Sequence, residues 1–288
     1  VMAIKWLHGV AIYQPNIAQE KKWDRNWYQP ILEQYRNAME PLYGHDIVVW
    51  PESAIPNFFQ NSDDFLQPIA QRAAHSGTAL IAGIPFREAD SKQYFNSIVA
   101  LGDGEGVYHK QRLVPFGEYV PFERQLRGLI AFFDLPMSSF SAGPAQQQSL
   151  STGAYRVAPF ICYEVVYPDL VAENASAADL LITISNDSWF GRSIGPLQHL
   201  QMAQMRALEN GRYMIRGTNN GISAIIDHRG KITAQSQQFV TTTLRGEVQV
   251  MLGSTPFSSV GSRPVIFGCA ITLLLMTVMY WVFWRQER

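Results

Sequence analysis

A run of twenty residues without a charged side chain lies near the C-terminus, at positions 265–284, and reads VIFGCAITLLLMTVMYWVFW. At about 1.5 Å per residue, a helix of this length extends roughly 30 Å, the hydrocarbon thickness of a bilayer. Tyr280, Trp281 and Trp284 lie at its end, where interfacial aromatic residues are enriched. The alternative is a buried core helix, but such helices are rarely this long and this apolar. The run therefore predicts one transmembrane helix.

The charges around this run predict its orientation. Arg263 and Arg285 bracket it, and the tail over 285–288 reads RQER, with a net charge of +1 before the terminal carboxylate. Under the positive-inside rule, the tail is cytoplasmic and residues 1–260 lie outside the cytoplasm. We therefore expect four parts in chain order: an extracytoplasmic domain over 1–255, a linker over 256–264, a transmembrane helix over 265–284 and a cytoplasmic tail over 285–288.

Charge balance and cysteine content exclude several classes of protein. Lys and Arg total 23 against 24 for Asp and Glu, so the formal net charge is −1 and the basic excess typical of a nucleic-acid binder is missing. Hydrophobic residues make up 47% of the chain, which is enough to bury a full core. The two cysteines, Cys162 and Cys269, belong to no CxxC or Cys/His cluster, which argues against a structural zinc site and a disulfide framework.

Strand-like and helical patterns alternate through residues 1–255 and predict an α/β protein with layered sheets. Several strand-like runs are continuously apolar, which is typical of strands covered on both faces; the runs occupy 10–13, 46–50, 78–84, 96–101, 107–110, 155–162, 180–185 and 221–227. Two apolar stripes with helical spacing comprise Trp27, Ile31, Tyr35, Ala38 and Leu42, with Pro30 near the start, and Leu197, Leu200, Ala203 and Ala207, between Pro196 and Gly211. Residues 133–153 predict a long loop.

Three reactive side chains stand where predicted strands end. Glu52 follows DIVVWP, Lys110 ends VYHK and Cys162 ends YRVAPFIC. In a shared site, Glu52 would take the thiol proton, Lys110 would stabilise thiolate and oxyanion, and Cys162 would attack a carbonyl. Glu118, in the following PFGEYVPF run, is a fourth candidate, while period-two alternation points His109 away from Lys110. The alternatives are ordinary packing for a lone cysteine and solvated loop charges for the others. None of the six histidines lies in a Cys-protease context.

With a glutamate, a lysine and a cysteine at these positions, the sequence resembles the nitrilase superfamily and its Glu-Lys-Cys triad. Longer runs are similar to one branch, the apolipoprotein N-acyltransferases of bacterial inner membranes: KWD at 22–24, VVWPESAIP at 48–56, YHKQRLVPFGEYVPF at 108–122, ICYEVVYPDL at 161–170, SNDSWFGRSIGPLQH at 185–199 and RALENGRYMIRGTNNG at 206–221. The resemblance implies a four-layer α-β-β-α sandwich. Full-length members of that branch carry a bundle of membrane helices before this domain, and Pro15 stands where they commonly have Gly.

The resemblance also implies roles for individual residues. Position by position, the general base, lysine, nucleophile and additional glutamate of the family match Glu52, Lys110, Cys162 and Glu118, and residues linked to substrate handling match Trp23, Tyr163 and Glu164. The implied reaction moves a fatty acyl chain from a membrane phospholipid, through a Cys162 thioester, to the α-amine of the N-terminal diacylglyceryl-cysteine of an apolipoprotein. It requires no metal or organic cofactor. The catalytic domain would then lie on the periplasmic side of the bacterial inner membrane.

Two other functions fit parts of the same pattern. A membrane-tethered carbon–nitrogen hydrolase would use the same triad on a small amide. A non-catalytic binding domain on a single anchor is the third hypothesis, against which the intact triad argues. Within the acyl-transfer reading, we expect Glu118 and Glu164 to hold the acceptor ammonium in the second step. For Glu164 this requires that the chain stays extended beyond Cys162, so that both side chains point the same way.

Overall fold

The structure is a computed structural model that describes residues 2–88, 93–115, 117–119 and 140–286 of the 288-residue chain. Two sheets run through the described residues, with strand orders β13-β1-β2-β3-β4-β6 and β12-β11-β10-β9-β8-β7-β5. The strands are β1 (Met2–Gln14), β2 (Ile47–Val49), β3 (Ala79–Arg87), β4 (Tyr94–Gly102), β5 (Gly104–Glu105), β6 (Val107–His109), β7 (Leu150–Thr152), β8 (Tyr155–Ile161), β9 (Leu180–Ser185), β10 (Met214–Thr218), β11 (Ala224–Ile226), β12 (Ile232–Gln235) and β13 (Thr242–Leu252).

Helices in the described residues cover both outer faces of the paired sheets and end the chain. They are α1 (Gln19–Lys22), α2 (Tyr28–Met39), α3 (Asp63–His75), α4 (Pro168–Ala175), α5 (Gly195–Asn210), α6 (Pro256–Val260) and α7 (Arg263–Gln286). Short 3₁₀ turns occupy Arg25–Trp27, Glu40–Leu42, Phe59–Asn61, Cys162–Val166 and Asp187–Phe190. Helix α5 has the predicted boundary signals: Pro196 lies in its first turn and Gly211 caps its end in the left-handed conformation, with φ 60°.

Alternation along the strands produces three apolar cores. In β2, Ile47 and Val49 face the core between the sheets, whereas Val48 faces the core under α2 and α3. In β9, Ile182 faces the core between the sheets and Leu181 faces the core under α4 and α5. Because each sheet is covered on both faces, its strands read as continuous apolar runs. The layers follow the order α-β-β-α, which confirms the expected sandwich.

Several sequence expectations need correction. The predicted loop over 133–153 is interrupted by β7, which pairs with β8 through Leu150 and Val157, and residues 133–139 lie outside the described part of the chain. The predicted strand over 221–227 is shorter in the structure, where β11 spans only Ala224–Ile226. Trp27 and Leu197 belong to predicted buried stripes, yet they are 39% and 50% exposed. Trp27 lies in the 3₁₀ turn that precedes α2, and Leu197 is not on the side of α5 that Pro196, Leu200 and Ala203 bury.

Helix α7 leaves the sandwich and packs on none of its three cores. Every side chain from 263 to 284 is exposed, Leu274 to 64%, so the buried-core alternative is wrong. Two contacts fix where the helix departs. Ser262 donates its backbone N–H to Asp169 Oδ1 at 2.7 Å, and the Thr255 hydroxyl donates to the Glu209 carbonyl. By length and composition α7 can cross a bilayer.

Candidate active site

Cys162 stands at the sharp turn that follows β8. The strand ends at Ile161, and Cys162 opens the 3₁₀ turn with a φ of 51°. The left-handed region costs a non-glycine residue about 1–2 kcal/mol, so it persists only where the surroundings hold it. The side chain is partly buried and packs against the core between the sheets. The predicted strand-end position of the cysteine is therefore confirmed.

Glu52 is oriented by two hydrogen bonds, one from β4 and one from the residue that follows β9. Its side chain follows β2 and is almost fully buried. Oε1 accepts a hydrogen bond from Asn96 Nδ2 at 2.7 Å, and Oε2 accepts one from the Asn186 backbone N–H at 2.7 Å. Close approach of β3 also fixes the backbone here, because a Cβ on Gly83 would lie 2.5 Å from the Pro51 carbonyl oxygen. The carboxylate is thus held in one orientation.

Lys110 is buried between two carboxylates. Its side chain is 1% exposed, and Nζ lies 2.8 Å from both Glu118 oxygens and 3.7 Å from Glu52 Oε1. Burial alone would lower the pKa of Lys110, but Glu52 and Glu118 raise it above its usual value, so the ammonium is charged at neutral pH. His109 points the other way, with Nδ1 2.7 Å from the Ser97 hydroxyl, as the alternation predicted.

Asn96 joins the two carboxylates and was missed by sequence reasoning. Its Nδ2 donates to Glu118 Oε1 at 3.0 Å as well as to Glu52. Glu118 is held further by the Val114 backbone N–H, which donates to Oε2 at 2.9 Å. The sequence does hold one signal for Asn96, which is a polar residue at the start of the mostly apolar run 96–101. A buried amide in such a strand needs hydrogen-bond partners, and these could have been sought among the predicted site residues. Glu118 therefore contacts Lys110 directly and belongs to the same cluster.

The Cys162 thiol is protonated at rest. Burial, and next the Glu52 carboxylate, raise the pKa of Cys162 to about 12, while the Lys110 ammonium opposes them. A thiol in this state needs a base at the moment of attack, since the thiolate is the nucleophile. Glu52 provides a fixed carboxylate for that proton, and Lys110 provides the nearby positive charge. The arrangement fits concerted deprotonation and attack.

Glu164 does not lie where the sequence placed it. The chain leaves β8 in a 3₁₀ turn, so the expected extended continuation beyond Cys162 is wrong. The side chain is 0% exposed. Its oxygens accept four hydrogen bonds of 2.6–3.1 Å, from the backbone N–H groups of Ile161, Gln111 and Arg112 and from the Tyr108 hydroxyl. Burial raises the pKa of Glu164, against the effect of the three N–H donors. Glu164 thus fastens the segment after Lys110 to the cysteine turn.

Trp23 and Tyr163 are exposed near this cluster. Trp23 is 38% exposed and lines a cleft of about 400 Å³. Lys22 lines the same cleft and donates from Nζ to the Glu52 carbonyl oxygen at 2.8 Å, which places the cleft beside Glu52. Burial lowers the pKa of Lys22 to about 8, with Glu52 opposing. Tyr163 is 39% exposed and packs edge-on against Tyr167, with ring centroids 5.5 Å apart. The substrate contacts of Trp23 and Tyr163 stay predictions.

Taken together, the buried cluster can carry out covalent acyl chemistry. It holds a thiol, a fixed carboxylate and a charged ammonium, the groups that attack on a carbonyl through a tetrahedral intermediate requires. Within the described residues, no group of three or more His, Cys, Asp or Glu side chains is arranged to hold a metal ion. The structure brings Glu52, Lys110 and Glu118 into contact, and the charges of Glu52 and Lys110 act on the pKa of the Cys162 thiol; the catalytic roles of these residues stay predictions.

Comparisons with known proteins agree with this architecture. The carbon–nitrogen hydrolase sequence family matches residues 9–257. The chain is 50% identical to an apolipoprotein N-acyltransferase of Pseudomonas aeruginosa and 42% identical to one of Vibrio vulnificus, over 98% and 97% of its own length. It spans 57% and 56% of those relatives, little more than half of each.

Solved structures share the fold at low sequence identity. A carbon–nitrogen hydrolase from Helicobacter pylori aligns with a TM-score of 0.62 at 17% identity, covering 84% of this chain and 88% of its own. Saccharomyces cerevisiae Nit3, of the nitrilase superfamily, aligns with a TM-score of 0.62 at 19% identity, covering 86% of this chain and 91% of its own. With the family match extending over all thirteen strands except the start of β1, this chain belongs to the carbon–nitrogen hydrolase family.

Proposed function

We propose that this chain contains the catalytic domain of an apolipoprotein N-acyltransferase and works with a Glu52-Lys110-Cys162 triad. The observation that carries the chemistry is the buried Lys110 ammonium between Glu52 and Glu118, beside the left-handed turn at Cys162. The choice of acceptor and donor draws on the relatives of 42–50% identity that bear this name. The apolar helix α7 supports a donor taken from a bilayer.

In the first step, Cys162 Sγ attacks the ester carbonyl carbon of a phospholipid while Glu52 takes the thiol proton. Negative charge develops on the carbonyl oxygen, and the Lys110 ammonium stabilises it. The carbon–oxygen bond then breaks. The departing alkoxide takes the proton from Glu52, which releases a neutral lysophospholipid alcohol and leaves the acyl chain on Cys162 as a thioester.

In the second step, the α-amine of a diacylglyceryl-cysteine attacks the thioester carbonyl. A model α-amine has a pKa of about 7.7–8.0, so near neutral pH it is mostly an ammonium, which first releases one proton to the solvent. The neutral amine then attacks, and Glu52 takes a second proton from the nitrogen and passes it to the Cys162 sulfur as the carbon–sulfur bond breaks. The products are an N-acylated lipoprotein and the resting thiol. Glu118 supports both steps by holding Lys110 in place.

The proposed location is the bacterial inner membrane, with the sandwich on the periplasmic side. The donor phospholipid and the diacylglyceryl group of the acceptor are both held in the bilayer by their acyl chains, so a domain tied to it by α7 meets them at high local concentration. The basic residues Arg285 and Arg288, which follow the apolar run 265–284, favour a cytoplasmic C-terminus.

A membrane-tethered hydrolase acting on a small amide is the second candidate, because the family match is to carbon–nitrogen hydrolases. It would use the same Cys162 acyl-enzyme and replace the acceptor amine with water. Such an enzyme would acylate from small amides and release free acid.

Intact-mass measurement of the chain in phospholipid vesicles separates these functions. An acyl adduct on Cys162 from phospholipid, discharged to an amide by a diacylglyceryl lipopeptide, is the expected result. Free fatty acid or acid from a small amide, without lipopeptide product, would favour the hydrolase. Absence of any adduct would favour a binding domain. Cys162→Ser is the matched negative control, because the alcohol is close in size but far harder to deprotonate, whereas Cys269→Ser in α7 should behave as the unmodified chain.

A further inference from the structure

A buried ion pair lies directly behind the cysteine turn and has no part in the triad chemistry. Asp187 follows β9, Arg216 lies in β10, and both side chains are 0% exposed. Arg216 Nη2 donates to Asp187 Oδ2 at 2.8 Å. Burying two charges is costly unless hydrogen bonds satisfy them, so such a pair in a core calls for a function.

His199 connects this pair to the backbone of Cys162. Its ring comes from α5, with Nδ1 3.1 Å from Asp187 Oδ1 and Nε2 3.0 Å from the Cys162 carbonyl oxygen. A carbonyl oxygen only accepts, so Nε2 carries the hydrogen and donates it. In the neutral ring Nδ1 is then the acceptor, and Arg216 Nη2 donates to it at 3.1 Å. Burial alone would raise the pKa of Asp187, but Arg216 and His199 hold it below its usual range, so the ionised carboxylate fixes the Arg216 guanidinium, which fixes the ring.

Ser185 connects the same carboxylate to the thiol side of Cys162. The hydroxyl of this last β9 residue donates to Asp187 Oδ1 at 2.5 Å, and the side chain is fully buried. Ser185 also lowers the pKa of the Cys162 thiol. The Asp187 carboxylate therefore holds Ser185, which acts on the sulfur of Cys162, and supports through Arg216 the His199 ring that donates to the Cys162 carbonyl.

We propose that Ser185, Asp187, His199 and Arg216 form a positioning network that holds Cys162 in its left-handed turn and aims its thiol at the acyl carbon. The left-handed conformation is unfavourable for a cysteine, and a charge-supported donor on its carbonyl is a physical means of keeping it. The four residues act through Cys162. The network rests on the proposed function only in taking Cys162 as the acyl acceptor.

The test compares His199→Leu, which removes the donor at similar size, with His199→Gln, whose amide can still donate to the carbonyl. Both are made in a Cys269→Ser background, with His75→Leu on the outer face of α3 as control. The readout is the burst of nitrophenolate from p-nitrophenyl butyrate, normalised to the folded fraction. This ester needs no phospholipid, so failure of the network and failure of the proposed lipid donor give different results.

We expect His199→Leu to slow acylation at saturating ester by about tenfold or more, with the apparent KM within a few-fold, as for a misplaced nucleophile. His199→Gln should recover most of the rate, and His75→Leu should match the parent. Equal rates for His199→Leu and the parent at equal folded fraction would overturn the proposal, as would a His199→Gln as slow as His199→Leu. If His199→Leu does not fold, Ser185→Ala tests the other arm, with a loss of about threefold or more expected and an unchanged rate counting against the network.

Discussion

Glu52 and Lys110 act on the pKa of one thiol in opposite directions. Burial and Glu52 raise the pKa of Cys162, and Lys110 lowers it. Glu52→Gln should therefore move the alkylation midpoint of Cys162 to lower pH, and each unit gained gives about tenfold more thiolate in neutral solution. The same variant should lose acylation by about 10²–10⁴-fold, because the base is gone. Lys110→Met should move the midpoint to higher pH. The measurement is the pH dependence of iodoacetamide labelling in a Cys269→Ser background.

Glu33→Gln, on the exposed face of α2, is the matched control for this pair and should leave both the midpoint and the acylation rate unchanged. The two variants are expected to shift the alkylation midpoint of Cys162 in opposite directions, which a general effect on the fold would not do. Midpoints that move together in Glu52→Gln and Lys110→Met, or that stay fixed in both, would show that these groups are not coupled to the thiol. A Glu52→Gln variant that alkylates faster yet acylates normally would remove Glu52 from the role of base.

Glu164→Gln tests a structural role against the second-step role first expected for this residue. The carboxylate accepts three backbone N–H groups, whereas an amide must turn an NH₂ toward some of these donors. Leaving buried donors unpaired costs about 1–3 kcal/mol each. We expect a lower free energy of unfolding in urea, with thioester formation and discharge falling together. Slow discharge alone, at unchanged stability, would restore the acceptor-binding role.

Sequence reasoning predicted the triad because each member stands where a predicted strand ends, and strand ends meet in a layered fold. Asn96 and Lys22 were missed, because their partners are 44 and 30 residues away and no local pattern announces such pairs. The expected orientation of Glu164 failed for a different reason. It assumed continued strand geometry, but the left-handed Cys162 starts a 3₁₀ turn.

At the scale of elements, continuous apolar runs predicted the central strands well, since burial on both faces removes alternation. The strands and helices at the edges of the layers were harder to predict from the sequence. Strand β13 mixes exposed and buried positions with Thr, Arg and Glu, and its place beside β1 depends on pairing with residues more than 200 positions away. Helices α3 and α4 also went unpredicted, and α3 contains Pro68. The local sequence pattern therefore predicts the central strands of each sheet better than the strands and helices at the edges.

Gly83 in β3 provides a test of how strand spacing positions the base. A Cβ there would lie 2.5 Å from the Pro51 carbonyl oxygen and 2.7 Å from Glu52 Cα, so the loop after β2 must move. Gly83→Ala should lower acylation by about tenfold or more while costing about 1–3 kcal/mol of stability. Burst amplitude and thermal unfolding measure the two effects. Gly268→Ala in α7, where a Cβ meets nothing within 4 Å, is the control. Normal activity in Gly83→Ala would mean that the loop adapts without displacing the carboxylate.

For the whole molecule, the sandwich and α7 are physically separate parts joined at one corner. The three cores are complete without α7, and the joint consists of the Ser262 and Asp169 contacts together with the cap at Thr255. Charge at the middle of α7 should therefore affect membrane association and leave the site intact. This separation allows the membrane and the chemistry to be tested independently.

Leu274→Arg combined with Leu275→Arg places two charges at the centre of the apolar helix. Each costs about 2.5–3.5 kcal/mol for insertion, enough to oppose a single span. We expect the double variant to lose flotation with phospholipid vesicles and to lose acylation from vesicle phospholipid. It should keep the parent rate of Cys162 acylation by p-nitrophenyl butyrate, because within the described residues α7 packs on none of the three apolar cores of the sandwich that carries Glu52, Lys110 and Cys162. Leu197→Arg, which adds charge at an exposed position on α5, controls for solubility effects. Unchanged flotation of the double variant would show that α7 does not tie this chain to the bilayer, and a loss of the butyrate burst would show that α7 supports the fold of the site.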